Sequence, residues 1–310
     1  MSFIDKLREK KSTLKVSSQD TYIRNIKRLR KVKNDLPIPP TESKWLNSKP
    51  LLEWFDKQPL SVRRHMATAA NIALSIYGKK DNKEWKNRQR KSMEQFDEQR
   101  RKRELTAKQK EKIPEKGFDA LKKVVTQMKR ELSHILKKKI TSLADLLRVQ
   151  DLIILSLYYE YPLRLDFATL KTEQNKKNNS IYKNKKKPQG WHITLHEFKT
   201  AQSLGSKTFK LGKANQRLLN KFIPAVKELT SHGYLLTNQK GGKMSKQVLS
   251  KKLMKLTKAR IGKTFSVQLL RILYAMKNRD VIESAKQVSS KLLHSQEQSL
   301  QYAKKQPKEQ

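Results

Sequence analysis

The sequence predicts a mainly α-helical protein with a small β-sheet, α+β in class. Apolar residues recur at three- and four-residue spacing over most of its 310 residues. Over residues 191–198 the apolar period falls to two, the signature of a strand. No stretch approaches 18 uninterrupted apolar residues, so no segment is expected to span a bilayer.

The elements follow in chain order. Residues 1–16 are polar and basic and read as a loose N-terminal arm. Ser17 or Ser18 is placed to cap a helix in which Tyr22, Ile23, Ile26 and Leu29 share a stripe. Pro37-Ile38-Pro39-Pro40 breaks the chain. Ser48 is placed to cap a short helix carrying Leu51, Leu52, Trp54 and Phe55. Ser61 opens another, with Met66, Ala69, Ala70, Ala73 and Tyr77 facing inward, and Gly78 stands where a helix ends. Residues 17–78 therefore read as a compact helical bundle.

Residues 79–112 differ in composition. They hold 14 Lys/Arg against 7 Asp/Glu, with few apolar anchors, among them Trp85, Met93 and Phe96. Two readings stand for this stretch: a solvated helix or extended linker, or a basic strap lying on phosphates between two domains. The linker proper is placed at 79–104 and a larger domain at 105–310.

In that domain 118–136 is amphipathic. Ser142 is placed to cap a helix with Leu146, Leu147, Leu152, Ile153, Leu155 and Leu157, apolar on most sides and hence central. Pro162 ends it. Residues 191–198 and 208–211 form a hairpin or small sheet. The segment 176–187 holds six lysines and three asparagines and reads as a flexible surface loop. Helices are expected again at 216–229, 245–256, 265–276 and 285–293, with a last short one around Tyr302.

Charge narrows the function. The net charge is +43 and is spread along the chain, so the folded surface itself is basic and suits a polyanion. Nucleic acid is the first candidate. The absence of cysteine excludes disulfides, thiolate-bound zinc and thiol catalysis. The first six residues lack the apolar core of a signal peptide. An intracellular location is expected, wherever the target DNA lies.

A small set of residues could break a phosphodiester. Leu292-Leu293-His294-Ser295 is followed eight residues after the histidine by Tyr302, and Arg271 precedes that histidine by twenty-three residues. Far upstream lies Tyr161-Pro162-Leu163-Arg164. A tyrosine can attack phosphorus and keep the bond energy in a phosphotyrosine. Arginine's planar fork meets two phosphate oxygens and stays charged when desolvated. Lysine or histidine can protonate the leaving 5′-oxygen. Each residue also has a plain structural reading. Arg164 could sit on a helix C-terminal dipole. Tyr302 could pack on the body, His294 could be a satisfied cap, and Lys199 is one lysine among dozens. Arg271, between Leu269, Leu270 and Leu273, reads as a charge in apolar surroundings that needs an anionic partner.

These motifs resemble those of the tyrosine recombinase, or phage integrase, family. Tyr161-Pro162-Leu163-Arg164 is similar to the family's first arginine turn, and Phe198-Lys199-Thr200 to its hairpin lysine. Leu270-Arg271 is similar to its His-x-x-Arg helix, Leu292-Leu293-His294-Ser295 to its Leu-Gly-His-Ser, and Tyr302 to its nucleophile. The likeness covers about Leu105 to the end. Gln268 stands where the family has histidine or lysine, Leu293 where it has glycine, and Asp166 is the acid nearest to the usual position. An amide can donate to a phosphate but cannot move a proton, so acid–base work would shift to Lys199 and His294.

The resemblance implies a helical DNA-binding bundle at 17–78 and a catalytic domain at 105–310, closing as a C-shaped clamp on double-stranded DNA. It implies site-specific cleavage and rejoining through a 3′-phosphotyrosine, as in DNA integration and recombination. Tyr302 would be the nucleophile and Arg164 with Arg271 the phosphate clamp. Lys199 would be the acid, His294 a hydrogen-bond donor and base, and Gln268 a neutral member of the site. No metal, ATP or other cofactor would be needed, and the working form would be a homotetramer on two DNA sites. The lysine-rich bias is similar to that of integrases from AT-rich viruses and mobile elements. Two alternatives remain: a type IB topoisomerase-like enzyme, and a catalytically decayed DNA-binding protein, which Gln268 favours.

Overall fold

The computed structural model describes residues 2–32, 37–79, 82–102 and 104–291, without the side chains of 288 and 289. The chain divides into two units at Leu105 and Thr106. The fold is mainly α with one three-stranded antiparallel sheet, in the α+β class.

The first unit is helical: α1 (Phe3–Lys10), α2 (Val16–Lys31), α3 (Lys49–Asp56), α4 (Leu60–Ile76) and α5 (Lys83–Arg101). The expectation of a loose arm at 1–16 is corrected. Ser2 and Asp5 form a reciprocal capping box that starts α1. Phe3 and Leu7, one turn apart, are buried in the core of the unit. Lys10 then donates to the Ile76 carbonyl at 3.1 Å. Two apolar residues at i, i+4 are a short signal among many charges, yet they suffice to dock one helix face.

The next helix begins at Val16, ahead of the expected serine caps, and Ser17 lies within its first turn. Tyr77 closes the proline break from the far side, donating to the Pro39 carbonyl at 2.6 Å. Ala67, Ala69, Ala70 and Ala73 on α4 are fully buried. Small side chains there let neighbouring helices approach closely. Gly78, at φ +79°, ends the helix as its position suggested, with Lys79 N–H reaching the Leu74 carbonyl at 2.9 Å.

The expectation of a linker at 79–104 is also corrected. Residues 83–101 are α5, packed on α4. One residue anchors it. Trp85 is wholly buried, donates its indole N–H to the Leu46 carbonyl at 3.0 Å, and meets Phe55 edge-on at 5.1 Å. Asn71 adds bonds to the Trp85 carbonyl and to Gln89. Apart from Met93 and Phe96 the rest of α5 is polar and charged, which is why its composition resembled a solvated segment.

The second unit starts with α6 (Ala107–Lys112), α7 (Asp119–Glu131) and α8 (Ser133–Lys137). Its centre is α9 (Leu143–Glu160), capped by Ser142, whose hydroxyl accepts the Asp145 N–H at 3.1 Å. Ten residues of α9 are buried, including Leu152, Ile153 and Leu155 on successive faces, so neighbours surround it. The fully buried Gln150 is satisfied twice by the Thr237 backbone, at 2.9 and 2.6 Å.

The sheet is β1 (Ser180–Asn184), β2 (Gly190–Leu195) and β3 (Lys207–Lys210), in that order. Ile181 pairs with Ile193, and Ile193 with Phe209. The reading of 176–187 as a flexible loop is thus corrected, because its middle is an edge strand. Ile181 is fully buried and holds the strand down. The flanking lysines had hidden a single apolar anchor. The predicted strand through Phe198 stops at Leu195, since the His196 and Glu197 N–H groups both bond the Asn179 side chain at 2.8 Å instead of a ladder.

A single turn, α10 (Ala201–Leu204), joins β2 to β3. Then come α11 (Lys213–Leu229), α12 (Lys246–Ile261), α13 (Val267–Lys277) and α14 (Arg279–Lys291). The last starts six residues ahead of the expected Ala285, aided by the Arg279–Glu283 pair at 2.9 Å. The expected helix around Tyr302 lies outside the described residues.

Candidate active site

A cleft of about 350 Å³ in the second unit gathers side chains from three distant stretches of chain. Arg164 and Asp166 come from the turn after α9, Lys207 from β3 and Arg271 from α13. Phe198, Leu204 and Phe209 supply much of its apolar wall.

The turn is built by proline and tyrosine. Pro162 disfavours helical backbone at Tyr161, which is extended at φ −131° and ψ 98°, and α9 ends there. Tyr158 is buried in the last turn of α9. It donates its hydroxyl to the Arg164 carbonyl at 2.9 Å and packs edge-on against Phe167 at 4.9 Å. Burial pushes the Tyr158 phenol far above its ordinary range, with the nearby Asp166 adding to the shift, so it remains a donor. The backbone beneath Arg164 is therefore fixed from the core side.

Asp166 is a buried carboxyl among cations. Burial raises its pKa above the usual carboxylate range, while the charges of Lys246, Arg164 and Arg271 pull it back down. Lys246 opens α12, which packs against the short 3-10 turn Asp166–Thr169. One acid facing three cations leaves the cleft positive.

The expectation that Arg271 sits in apolar surroundings is corrected. Leu269, Leu270 and Leu273 are buried, whereas Arg271 is exposed and lines the cleft. A helix places 269, 270 and 273 on one side and 271 nearly opposite. Ser266 starts α13 by accepting the Leu269 N–H at 3.1 Å, which sets this rotation. Gln268 lies in the first turn of the same helix and is exposed.

Lys199 is exposed in the turn after β2, beyond the strand's end. Its neighbours Phe198 and Thr200 line the cleft, whereas among the hairpin lysines it is Lys207 that does so. Sequence reading passed over Lys207. Its signal was the alternation in Lys207-Thr208-Phe209, which puts Lys207 on the same strand face as Phe209. Lys246 was passed over too, since a helix's first residue carries no periodic mark. Arg164 and Arg271 both line the cleft. His294 and Tyr302 lie outside the described residues.

Two guanidinium groups and a primary amine around an apolar-walled cleft can hold a tetrahedral oxyanion and stabilise charge spreading over its oxygens. The lysine can also deliver a proton. Among the described residues no helix is long and apolar enough to cross a membrane. No protein-family model and no curated protein matches the chain.

Proposed function

We propose that this protein cleaves and rejoins DNA strands as a tyrosine-type recombinase or integrase. The observation that carries the reading is the convergence of Arg164 and Arg271, distant in sequence, on one cleft with Lys207 at its rim. In this mechanism the two arginines grip the non-bridging oxygens of the scissile phosphate and stabilise the pentacoordinate transition state. The Tyr302 hydroxyl gives its proton to His294 as it attacks phosphorus. The 5′-oxygen leaves, taking a proton from a hairpin lysine, Lys207 or Lys199. A 3′-phosphotyrosine remains. A 5′-hydroxyl from another strand then reverses the step, and no net bond energy is lost. His294 and Gln268 donate hydrogen bonds to the phosphate. Double-stranded DNA is the substrate, and a homotetramer on two sites is the assembly that strand exchange requires.

The test is covalent trapping. Wild type and Tyr302→Phe are incubated with supercoiled and nicked DNA in EDTA and quenched with detergent. A protein–DNA adduct from wild type alone supports the reading. An adduct from both assigns the chemistry to another residue. A non-catalytic DNA-binding reading is favoured by one observation, the exposed amide Gln268 one turn from Arg271 where a proton-moving side chain would serve. Under it neither wild type nor Tyr302→Phe forms an adduct, and DNA binding is the same in both.

A further inference from the structure

We propose that a groove in the first unit, between α3, the start of α4 and α5, seats a backbone phosphate of duplex DNA on Arg63 and Lys91. The proposal rests on the DNA reading above and extends it to a site away from the cleft. The groove measures about 370 Å³. One face of α5 forms its long side, with Glu84, Arg88, Lys91 and Gln95 at steps of three and four residues.

The charges in the groove are not equivalent. Arg88 is committed: its Nε donates to Glu84 at 3.2 Å, its terminal nitrogen bonds Asp56, and its guanidinium lies over Phe55 at 5.5 Å. Arg88 thus bridges both acids of the groove, Asp56 and Glu84, and with Arg63 and Lys91 the five charged groups sum to one positive charge. Among the described residues, Arg63 and Lys91 are the cations of the groove that no acid engages. The Arg63 Nε is buried and has no hydrogen-bond partner among the described residues. Lys91 is exposed and forms no ion pair among them.

The unpartnered Nε shows that no described protein group claims this side chain, and since Arg63 lines the groove, the fork of its terminal nitrogens fits an oxyanion seated there. Lys91 offers a second positive charge and a flexible donor. The neighbouring amide side chain of Asn87 can donate without adding charge. Such a site reads no bases. It fixes the position of a duplex by its backbone, as phosphate contacts generally do. The chain's net charge of +43 makes a polyanion the natural source of that phosphate.

The test uses the full chain and a duplex of about 30 base pairs, with affinity followed against salt. Arg63→Met and Lys91→Met are each expected to lower affinity about tenfold and reduce the salt slope by about one. Lys49→Met, at an exposed lysine of the same unit outside the groove, is expected to change affinity far less. Arg63→Lys is expected to fall between wild type and Arg63→Met, because charge returns without the fork. Thermal unfolding of Arg63→Met checks the fold, and the exposed Lys91 provides a variant free of that concern. If wild type binds duplex and both groove variants behave like Lys49→Met, the groove proposal is overturned while the DNA reading stands. If wild type binds no duplex, the DNA reading fails and the groove falls with it. If inorganic phosphate at matched ionic strength protects wild type but not Arg63→Met against unfolding, and duplex affinity is equal in the two, the groove serves a free anion and the proposal is overturned.

Discussion

Arg164 and Arg271 line the same cleft, one on the turn that ends α9 and the other on the exposed side of α13. Each is held by what lies behind it. Tyr158 pins the Arg164 backbone from the core, and three buried leucines fix the rotation of α13 beneath Arg271. The guanidinium groups are thus presented by rigid elements, as electrostatic stabilisation of a transition state demands.

Arg271→Ala is expected to reduce adduct formation by about 10²–10³-fold, the usual loss when one transition-state donor is removed. Duplex affinity should stay close to wild type, because many other cations supply binding. A parallel collapse of affinity would make Arg271 a binding residue and leave the proposed clamp without support.

Lys207 and Lys199 compete for the role of acid. Since Lys207 lines the cleft, Lys207→Ala should slow cleavage more than Lys199→Ala. A DNA strand with a 5′-bridging sulfur leaves without needing a proton, so it should restore cleavage by the lysine variant. It should not restore cleavage by Arg271→Ala. Equal loss in both lysine variants, or no rescue, would remove Lys207 from that role.

Asp166 carries a pH signature. Its folded pKa is raised, chiefly by burial, so its contribution to stability is complete below the unfolded carboxylate range. That contribution is lost as pH rises through the folded pKa. Asp166→Asn should therefore be more stable than wild type at pH 7, and the advantage should shrink as pH falls through the acid range. Paired denaturant titrations across pH measure it. A variant equally destabilised at every pH would show that Asp166 anchors the turn rather than titrating in place.

Trp85 is expected to hold α5 in the first unit. Trp85→Ala should cost about 3–5 kcal/mol, as large buried aromatics generally do. Hydrogen exchange should show the α5 amides losing protection together with those of α4. Unchanged protection of α4 would mean that α5 is an appendage after all.

Salt provides the broadest check on the proposed ligand. Duplex affinity should fall steeply and log-linearly with salt, as counterion release requires. A flat response would argue against phosphate-dominated binding.

The residues that were legible in the sequence are those with a local mark. Ser142 announced α9 by its place before an apolar run, Gly78 marked the end of α4, and Pro162 the end of α9. The two arginines stood out because arginine is scarcer than lysine here and each follows apolar neighbours. Elements with one or two anchors were missed. Ile181 holds β1 inside a lysine-rich stretch, Trp85 holds α5, and Phe3 with Leu7 holds α1. One or two apolar residues make no period, so composition there spoke only of the charges around them.

By itself the sequence determined that this chain is basic throughout, mainly helical with a short sheet, free of cysteine, and in possession of two arginines suited to a phosphate. Those properties depend on residue identity and short-range spacing. Tertiary structure alone decided that Arg271 faces the cleft, that Lys207 rather than Lys199 lines it, and that Asp166 sits among three cations. Each of these depends on the rotation of a helix or the register of a strand. Rotation and register are set by which buried side chains fit against neighbours far along the chain, and no local window contains that information.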